Sequence, residues 1–427
     1  MKKLLLLLLV VFSLQTQATH LMGGQMTSQN TGGLSYQITL TLYRDSLGVP
    51  MGTTQLITYT DSTGNFVVGS HYVNYDPTLT TNIGNGVERY IFTDTITFPF
   101  VGKFKAFTEN CCRNAAILNL PSPSQNSLWL DVDIFADPSN SSPVFLNEPI
   151  TVAQLNQPFS YNPLPFDVDG DSLSWQLDVP MDYLSGAILG TPILGYTLPP
   201  SDTIAPFSID PLTGEIVFLP NVIGNFQVSV KAIEWRNGIQ IGYIRRDMQL
   251  IVVPSNNIPT QVLPNYTVQK TLLNPIYIDP GQTFNLTVVT YNIDNGPVSV
   301  TLNGSVFFVP NNPAIIVSND PYTSTGAYTT TTSTISWTPT QNEVRTKPYY
   351  LSFRVADYST PYIFYNDYTF RVVVKNSVTG FNEVKPTSNK KLIQTVDMLG
   401  RDIDPNQEGF RINIYSDGTK EKVYIKK

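Results

Sequence analysis

Apolar and polar residues alternate along many short stretches of this chain, and residues 36–45 give the clearest case. Their sequence, YQITLTLYRD, sends alternate side chains to opposite faces of an extended strand. Residues 89–97, 102–109 and 127–135 are further predicted strands. No long stretch repeats apolar residues at the spacing of an amphipathic helix. The pattern therefore predicts an all-β protein.

Two short sequences rich in Pro, Ser and Asn interrupt the predicted strands. PSNSSP at residues 138–143 and PSNNIP at residues 254–259 share the pattern PSN-x-x-P. Such clusters break strands and stiffen a connector, so we interpret them as domain boundaries. The predicted organisation is a signal peptide at 1–18, β-sandwich segments at 19–140, 141–254 and 255–376, and a tail at 377–427.

The segments that follow the two connectors look like copies of each other. Residues 157–159 match residues 282–284, and residues 228–234 match residues 351–357. The acidic sequence FDVD at residues 166–169 matches YNID, 125 positions later. Each copy contains about seven short strands, which is typical of a β-sandwich. The sequence therefore predicts tandem β-sandwiches.

Composition and charge narrow the classes of partner. Charged residues make up only 14% of the chain. Residues 19–376 contain 15 Lys and Arg against 26 Asp and Glu, a net charge of −11, whereas residues 377–427 contain 9 against 7, a net charge of +2. Nucleic acids and anionic lipids are bound by clustered Lys and Arg, so this acidic body argues against both.

The two cysteines, Cys111 and Cys112, are neighbours. Adjacent Cα atoms lie about 3.8 Å apart across a trans peptide, which is below the usual span of a disulfide. We therefore expect two thiols rather than a bond between them.

The N-terminus has the pattern of a secretory signal peptide. Lys2 and Lys3 precede an apolar run at residues 4–14, and Ala18 closes a region of small and polar residues. The run is too short to span a bilayer, and no second apolar stretch is long enough to do so. We expect cleavage near Thr19 and a secreted product.

The C-terminal residues 390–427 resemble the short sorting tail of substrates of the bacterial type IX secretion system. The resemblance implies recognition by that secretion machinery, passage across the outer membrane, and display at the cell surface or release. The alternative is a small β-domain that merely ends the chain. The residues that carry the resemblance include Lys391, Asp397, Gly400, Arg401, Gly418, Lys426 and Lys427.

Two further resemblances concern the body of the chain. THLMGG near residue 19 and ENCCRNAAILNL at residues 109–120 resemble the N-terminal module of large surface proteins of gliding bacteria. DVDGDSL at residues 167–173 and FSIDPLTGEI at residues 207–216 resemble bacterial cadherin-like and immunoglobulin-like modules. These resemblances imply a surface protein with an adhesive or structural role. The acidic LDRE-type motif of animal cadherins is absent, since LPN stands near its place at residues 219–221.

The acidic sequence DVDGD is the strongest candidate for a metal site. On a strand, Asp167, Asp169 and Asp171 would project to one face. Further candidate ligands are Glu234, Glu148, Asn140 and the group of Asp131, Asp133 and Asp137 before the first connector. Calcium takes six to eight oxygen ligands, so such a cluster suggests a weak extracellular calcium site. The alternative is ordinary turn chemistry, in which the aspartates bond to local amides. Calcium is the only cofactor that the sequence suggests.

The sequence predicts no catalytic residue. Its two histidines, His20 and His71, have no evident acidic or nucleophilic partner, and Cys111 has no evident histidine. We therefore expect a non-catalytic protein of adhesion or structure. The alternative is a carbohydrate-binding surface protein, because tyrosines between residues 349 and 370 offer rings for stacking on sugars, and surface glycans or other surface proteins are the expected partners. A secreted hydrolase is the third interpretation.

Overall fold

The structure is a computed structural model of an all-β protein. It describes residues 21–184, 189–211, 213–264, 275–376, 391–396, 402–405, 409–416 and 420–425. The chain through Lys375 forms one compact unit, and the residues from Asn376 form a second. The described part of the chain contains no helix with the length and hydrophobicity of a membrane span. Short 3₁₀ helices occur at Pro123–Gln125, Ser305–Phe308 and Gln341–Glu343.

The four strands predicted from alternation are confirmed. They are the second, sixth, seventh and eighth strands of the first segment, and their buried positions alternate with more exposed ones over part of their length, as in the first half of the second strand. The strands of this segment are β1 (Leu21–Gly32), β2 (Ser35–Asp45), β3 (Thr54–Asp61), β4 (Val67–Asn74), β5 (Thr81–Asn82), β6 (Val87–Thr97), β7 (Gly102–Asn110) and β8 (Leu128–Ala136).

The longest strands among the described residues of the second segment are Gly224–Arg236 and Ile239–Val253. Its strands are β9 (Val144–Phe145), β10 (Val152–Gln154), β11 (Phe159–Tyr161), β12 (Pro165–Phe166), β13 (Ser172–Asp178), β14 (Met181–Asp182), β15 (Thr191–Pro192), β16 (Ser208–Ile209), β17 (Ile216–Phe218), β18 (Gly224–Arg236) and β19 (Ile239–Val253).

One sheet joins the first two segments. Strand β19 runs antiparallel to β18 along one edge, and its other edge pairs in turn with β8, β1 and β10. Gly23 of β1 lies opposite Met248, and Asp133 of β8 lies opposite Tyr243. The domain boundaries remain predictions, but hydrogen bonds of this sheet cross the first of them. These two segments therefore share backbone pairing rather than only a connector.

The third segment is a sandwich of two sheets. Its strands are β20 (Gln261–Pro264), β21 (Ile276–Ile278), β22 (Phe284–Asn292), β23 (Val298–Gly304), β24 (Ile315–Asn319), β25 (Thr323–Ser324), β26 (Thr329–Trp337), β27 (Tyr349–Ser359) and β28 (Tyr362–Val374). One sheet has the order β20-β22-β26-β24, and the other has the order β21-β28-β27-β23. Phe284, Leu286, Ile335, Leu351 and Phe353 fill the space between them.

The second and third segments pair their strands in the same way. The β11–β17 pair corresponds to β22–β26, and β13–β18–β19 corresponds to β23–β27–β28. A short strand also runs parallel to the last long strand in each segment, β10 in one and β21 in the other. The similarity between the two copies in sequence is therefore matched by their topology.

Buried polar contacts join the third sandwich to the second segment. Asp367 of β28 accepts hydrogen bonds from the backbone N–H of Asn162 at 2.9 Å and from Arg354 Nε at 2.7 Å. The Oγ of Ser160 donates to the Asp367 carbonyl oxygen at 2.8 Å. Since these groups are buried, their hydrogen bonds fix how the two sandwiches pack.

The second compact unit contains a three-stranded antiparallel sheet. Its strands are β29 (Leu392–Val396), β30 (Gly409–Tyr415) and β31 (Lys420–Ile425), in that order in the sheet. Lys391 precedes the first of them and is exposed. The other residues named for the sorting tail, Asp397, Gly400, Arg401, Gly418, Lys426 and Lys427, lie outside the described residues.

Cys111 and Cys112 differ from the sequence expectation. They follow β7 and form a disulfide, with their Cα atoms 3.0 Å apart across a cis peptide. The expectation of two thiols assumed a trans peptide, in which the Cα atoms lie farther apart.

Candidate cation site

The acidic sequence DVDGD forms a turn between β12 and β13 rather than part of a strand. Asp167 directly follows β12, and Asp171 directly precedes β13. The backbone N–H of Asp171 donates to Asp167 Oδ1 at 2.7 Å, which closes the turn. Gly170 has a φ of +86°, a value that a residue without a Cβ adopts at low cost. Side chains therefore do not alternate here as the sequence analysis expected.

Glu234 brings a third carboxylate to this turn from strand β18. It lies opposite Leu173 of β13 in the sheet, and it is fully buried. On its other side it lies opposite Gly242 of β19, where a Cβ would be 3.0 Å from Glu234 Oε2. The absence of a side chain at Gly242 therefore leaves room for the carboxylate. Oxygen atoms of Asp167, Asp171 and Glu234 all lie within 4.8 Å of one another.

Three of the oxygens in this cluster have no hydrogen-bond partner among the described residues. They are both carboxylate oxygens of Glu234 and Oδ2 of Asp167. Burial raises the pKa of Glu234 to about 9, together with the charges of Asp167 and Asp171 and a hydrogen bond that the protonated carboxyl can donate to Asp171. Burial also raises the pKa of Asp167 to about 6. Buried carboxylates so arranged are stabilised by a proton or by a cation.

Two cationic side chains already contact Asp171. Arg236 Nε donates to Asp171 Oδ1 at 2.9 Å, and its second terminal nitrogen donates to Asp171 Oδ2 at 2.6 Å. The same nitrogen donates to Asn140 Oδ1 at 2.6 Å, so Asn140 lies beside the site but not in the carboxylate cluster. Lys347, from the third sandwich, donates to the carbonyl oxygen of Asp171. Arg236 therefore neutralises Asp171, whereas no Lys or Arg among the described residues forms an ion pair with Asp167 or Glu234.

Asp169, the fourth predicted ligand, lies apart from the cluster. Its side chain is exposed at the turn, and its Oδ2 accepts a hydrogen bond from the backbone N–H of Ser141 at 2.5 Å. Ser141 belongs to the first PSN-x-x-P connector. Asp169 therefore fastens the connector to the turn.

The other acidic residues considered as ligands have partners elsewhere. Glu148 accepts from the hydroxyl of Tyr43 at 2.7 Å and pairs with Arg89. Asp131 accepts from Lys105 Nζ at 3.1 Å, and Asp133 contacts the same ammonium. Asp137 accepts from the N–H of Ser139 at 2.9 Å. We therefore do not place these residues in the candidate site.

The corresponding place in the third sandwich has different chemistry. Asn292 stands where the second segment has Asp167, and Asp357 stands where it has Glu234. Asp357 accepts from Thr260 Oγ1 at 2.7 Å, from Asn292 Nδ2 at 3.0 Å and from Asn257 Nδ2 at 3.2 Å. Its carboxylate is therefore buried but has hydrogen-bond donors on both oxygens.

Three residues of this neighbourhood lie outside the DVDGD pattern. Arg236 carries a readable signal, because it lies two residues after Glu234 and so projects to the same face of β18. Lys347 carries none, since 176 residues separate it from Asp171. Gly242 carries none either, because its role depends on the β18–β19 register.

His71 has a partner that its local sequence does not indicate. His71 Nδ1 lies 2.6 Å from Asp94 Oδ2, and the hydroxyl of Tyr59 donates to the same oxygen at 2.5 Å. These residues lie on strands β4, β6 and β3. A fold that brings three separate strands together created this cluster, so local sequence gave no sign of it.

No protein-family model matches the chain, and a search of curated proteins finds no relative. The chain has a weak structural similarity to the cadherin-like domains 1 to 4 of zebrafish RET, at 12% identity and a TM-score of 0.20, over 77% of this chain and 71% of that one. The Drosophila N-cadherin fragment EC1-3 gives 13% identity and a TM-score of 0.19, over 77% and 93%. Salmonella alpha-2-macroglobulin gives 11% identity and a TM-score of 0.21, over 82% of this chain and only 23% of that one. This chain spans about a quarter of that protein's length.

Proposed function

We propose that this chain is a secreted surface protein of adhesion or structure, without catalytic activity, in which a calcium ion stabilises the second segment. The shared sheet and the buried contacts of Asp367 support a rigid, load-resisting body. Its acidic composition and the N-terminal signal pattern support a role outside the cell.

One observation carries the calcium part of this proposal. Glu234 is fully buried, and neither of its carboxylate oxygens has a hydrogen-bond partner among the described residues. Asp167 adds a third unpartnered oxygen within the same cluster. Carboxylate oxygens are the ligands that calcium prefers, and backbone carbonyls and water complete its shell in proteins. Glu234 and Asp167 would hold the ion, with Asp171 shared between the ion and Arg236.

The first experiment compares thermal unfolding of the signal-free chain in EDTA and in 10 mM calcium. With a dissociation constant of about 10⁻⁴ M, typical of weak extracellular sites, calcium would add about 2.7 kcal/mol to the free energy of unfolding. For a chain of this size, that corresponds to a rise of roughly 4 °C in Tm. Glu234→Gln keeps the shape of the side chain and should abolish the rise.

The matched control is Glu148→Gln, since Glu148 is an acidic residue of the same segment that pairs with Arg89 instead. This variant should keep the response to calcium. If the wild-type chain shows no rise, or if Glu234→Gln keeps it, calcium does not bind at the cluster, and protonation is left as the means of stabilising these carboxylates.

We propose further that the tail at residues 377–427 directs export by the type IX secretion system. The resemblance of its sequence to known sorting tails supports this route. In a host that has this system, deletion of residues 377–427 should leave the protein in the periplasm, as measured by fractionation and surface proteolysis. Surface display of the truncated protein would contradict the proposal.

A further inference from the structure

A cleft of about 510 Å³ opens beside the second PSN-x-x-P connector. Ser255 and Asn256 of the connector line one side, and Asp294 lines another. Thr360 and Tyr362, at the turn between β27 and β28, complete the wall. This volume lies in the range of about 300–1,000 Å³ that is typical of small-molecule sites.

Hydrogen bonds hold two of the lining residues, Asn257 and Asp294, in place. Asn257, another lining residue, is buried and donates from Nδ2 to Asp357 at 3.2 Å. Its carbonyl oxygen accepts from Gln154 Nε2 at 2.9 Å. Asp294 Oδ2 accepts from the N–H of Ile258 at 2.5 Å, which orients the carboxylate. The cleft is therefore pre-formed, which lowers the entropic cost of binding.

The upper wall offers unused polar groups and an aromatic ring. The side chains of Asn256, Thr360 and Tyr362 donate no hydrogen bond to another described residue. The Tyr362 ring is partly buried against Val152, Val253 and Phe364, and its centroid lies 5.9 Å from that of the Phe364 ring. Amide, hydroxyl and carboxylate groups beside a ring match the surface of a sugar, which has hydroxyl groups around a weakly polar C–H face.

The charges of the lining residues exclude other classes of ligand. Among the described residues that line the cleft, none is Lys or Arg, so a phosphate or another anion would lack a charged partner. Asp294 is the single carboxylate there, which is too few for a calcium site built on acidic side chains. Lipid binding requires a mostly apolar lining, whereas this one is mainly polar.

We propose that this cleft binds a neutral saccharide, with Tyr362 stacking on a sugar ring and with Asn256 and Asp294 hydrogen-bonding to its hydroxyl groups. The cleft contains none of the residues of the carboxylate cluster, so this proposal does not depend on calcium binding. It gives the surface protein a chemically defined partner, an uncharged glycan.

The test is an array of neutral mono- to tetrasaccharides of hexoses and pentoses, with charged glycans included, probed with the signal-free full chain. Isothermal titration then measures the best neutral glycan against variants. Tyr362→Ala and Asn256→Ala should each weaken binding roughly tenfold or more, since each removes a direct contact. Tyr322→Ala is the matched control, because Tyr322 is an exposed tyrosine of the same sandwich outside the cleft, and it should bind as the wild type does.

Thermal unfolding of each variant separates lost binding from lost folding. Asn256→Ala changes an exposed side chain, so it should unfold at the same temperature as the wild type. It therefore still tests the proposal if Tyr362→Ala is destabilised. Absence of neutral glycan binding at millimolar concentration overturns the proposal. So does binding that both cleft variants leave unchanged, or binding confined to sulfated or uronic glycans.

Discussion

The second and third sandwiches place a buried carboxylate at the same point of the same topology, yet the two carboxylates have different surroundings. Glu234 on β18 has no hydrogen-bond partner among the described residues, whereas Asp357 on β27 accepts from three donors. The exchange of Asp167 for Asn292 accounts for part of this difference. A carboxamide donates a hydrogen bond where a second carboxylate only repels.

This difference teaches how one fold position supports two kinds of site. In the third sandwich, side-chain amides and a hydroxyl satisfy the carboxylate, and no ion is required. In the second, Asp167 and Glu234 leave an excess of buried negative charge, because the ion pair of Arg236 is with Asp171. A proton or a cation must supply the missing partner. The free energy of unfolding should therefore respond in opposite ways when the buried carboxylate of each copy is converted to its amide.

The largest expected effect comes from converting each carboxylate to its amide. Asp357→Asn places an NH₂ group against the donors of Thr260 and Asn292, so the free energy of unfolding should fall by about 2–3 kcal/mol. Glu234→Gln removes no hydrogen bond seen in the structure and has no charge to desolvate, so in EDTA at pH 7.5 the free energy of unfolding should rise, by up to about 4 kcal/mol. Urea denaturation followed by tryptophan fluorescence measures both.

Equal losses in the two amide variants would break the comparison. That result would mean that Glu234 has partners as strong as those of Asp357. A loss confined to Asp357→Asn would support the view that the two sites are satisfied in different ways.

The second expected effect is a dependence of stability on pH to which Glu234 contributes more than Asp357, whose pKa burial also raises. The pKa of Glu234 is about 9 in the folded chain, against an ordinary value of 4.5. Between these values the folded state binds more protons, so the free energy of unfolding falls as pH rises, by up to about 1.4 kcal/mol per pH unit. Asp167, with its pKa near 6, adds to the fall at the acidic end of this range.

Urea denaturation in EDTA from pH 5 to pH 8 measures this slope. Glu234→Gln should flatten most of it, whereas Asp357→Asn should lower the whole curve and change the slope less, since burial also raises the pKa of Asp357. Calcium should raise stability most at pH 8, because it binds the ionised carboxylates. A flat profile for the wild-type chain would show that the Glu234 carboxylate is not desolvated in the folded protein.

The sequence predicted those elements whose signal is local. Strand β2 follows from ten alternating residues, and the correspondence of Glu234 with Asp357 follows from two matching runs that end in an acidic residue. Asp167, Asp171 and Glu234 were named as ligands for the same reason. Each of these signals lies within a few neighbouring residues.

The remaining features depend on long-range pairing, which leaves no local signal. The sheet shared by β1 and β19 joins Gly23 to Met248, and neither residue indicates the other. Strand alternation would place Asp169 beside the other ligands. In the structure Gly170 turns the chain, and Asp169 accepts a hydrogen bond from the N–H of Ser141 instead. Packing of the third sandwich against the second then brings Lys347 to the site.

The smallest expected effect concerns Lys347. In the third sandwich, none of the three residues that donate hydrogen bonds to Asp357 is a lysine. The ammonium group of Lys347 donates to the carbonyl oxygen of Asp171, beside the carboxylates that would hold calcium. Since a fixed positive charge opposes a nearby cation, Lys347→Met should tighten calcium binding roughly tenfold, a coupling of about 1.4 kcal/mol. Lys375→Met removes an exposed charge beside Tyr277 of the same sandwich and should leave the affinity unchanged. Calorimetric titration of both variants measures this, and equal affinities in the wild type and Lys347→Met would mean that the third sandwich does not influence the site.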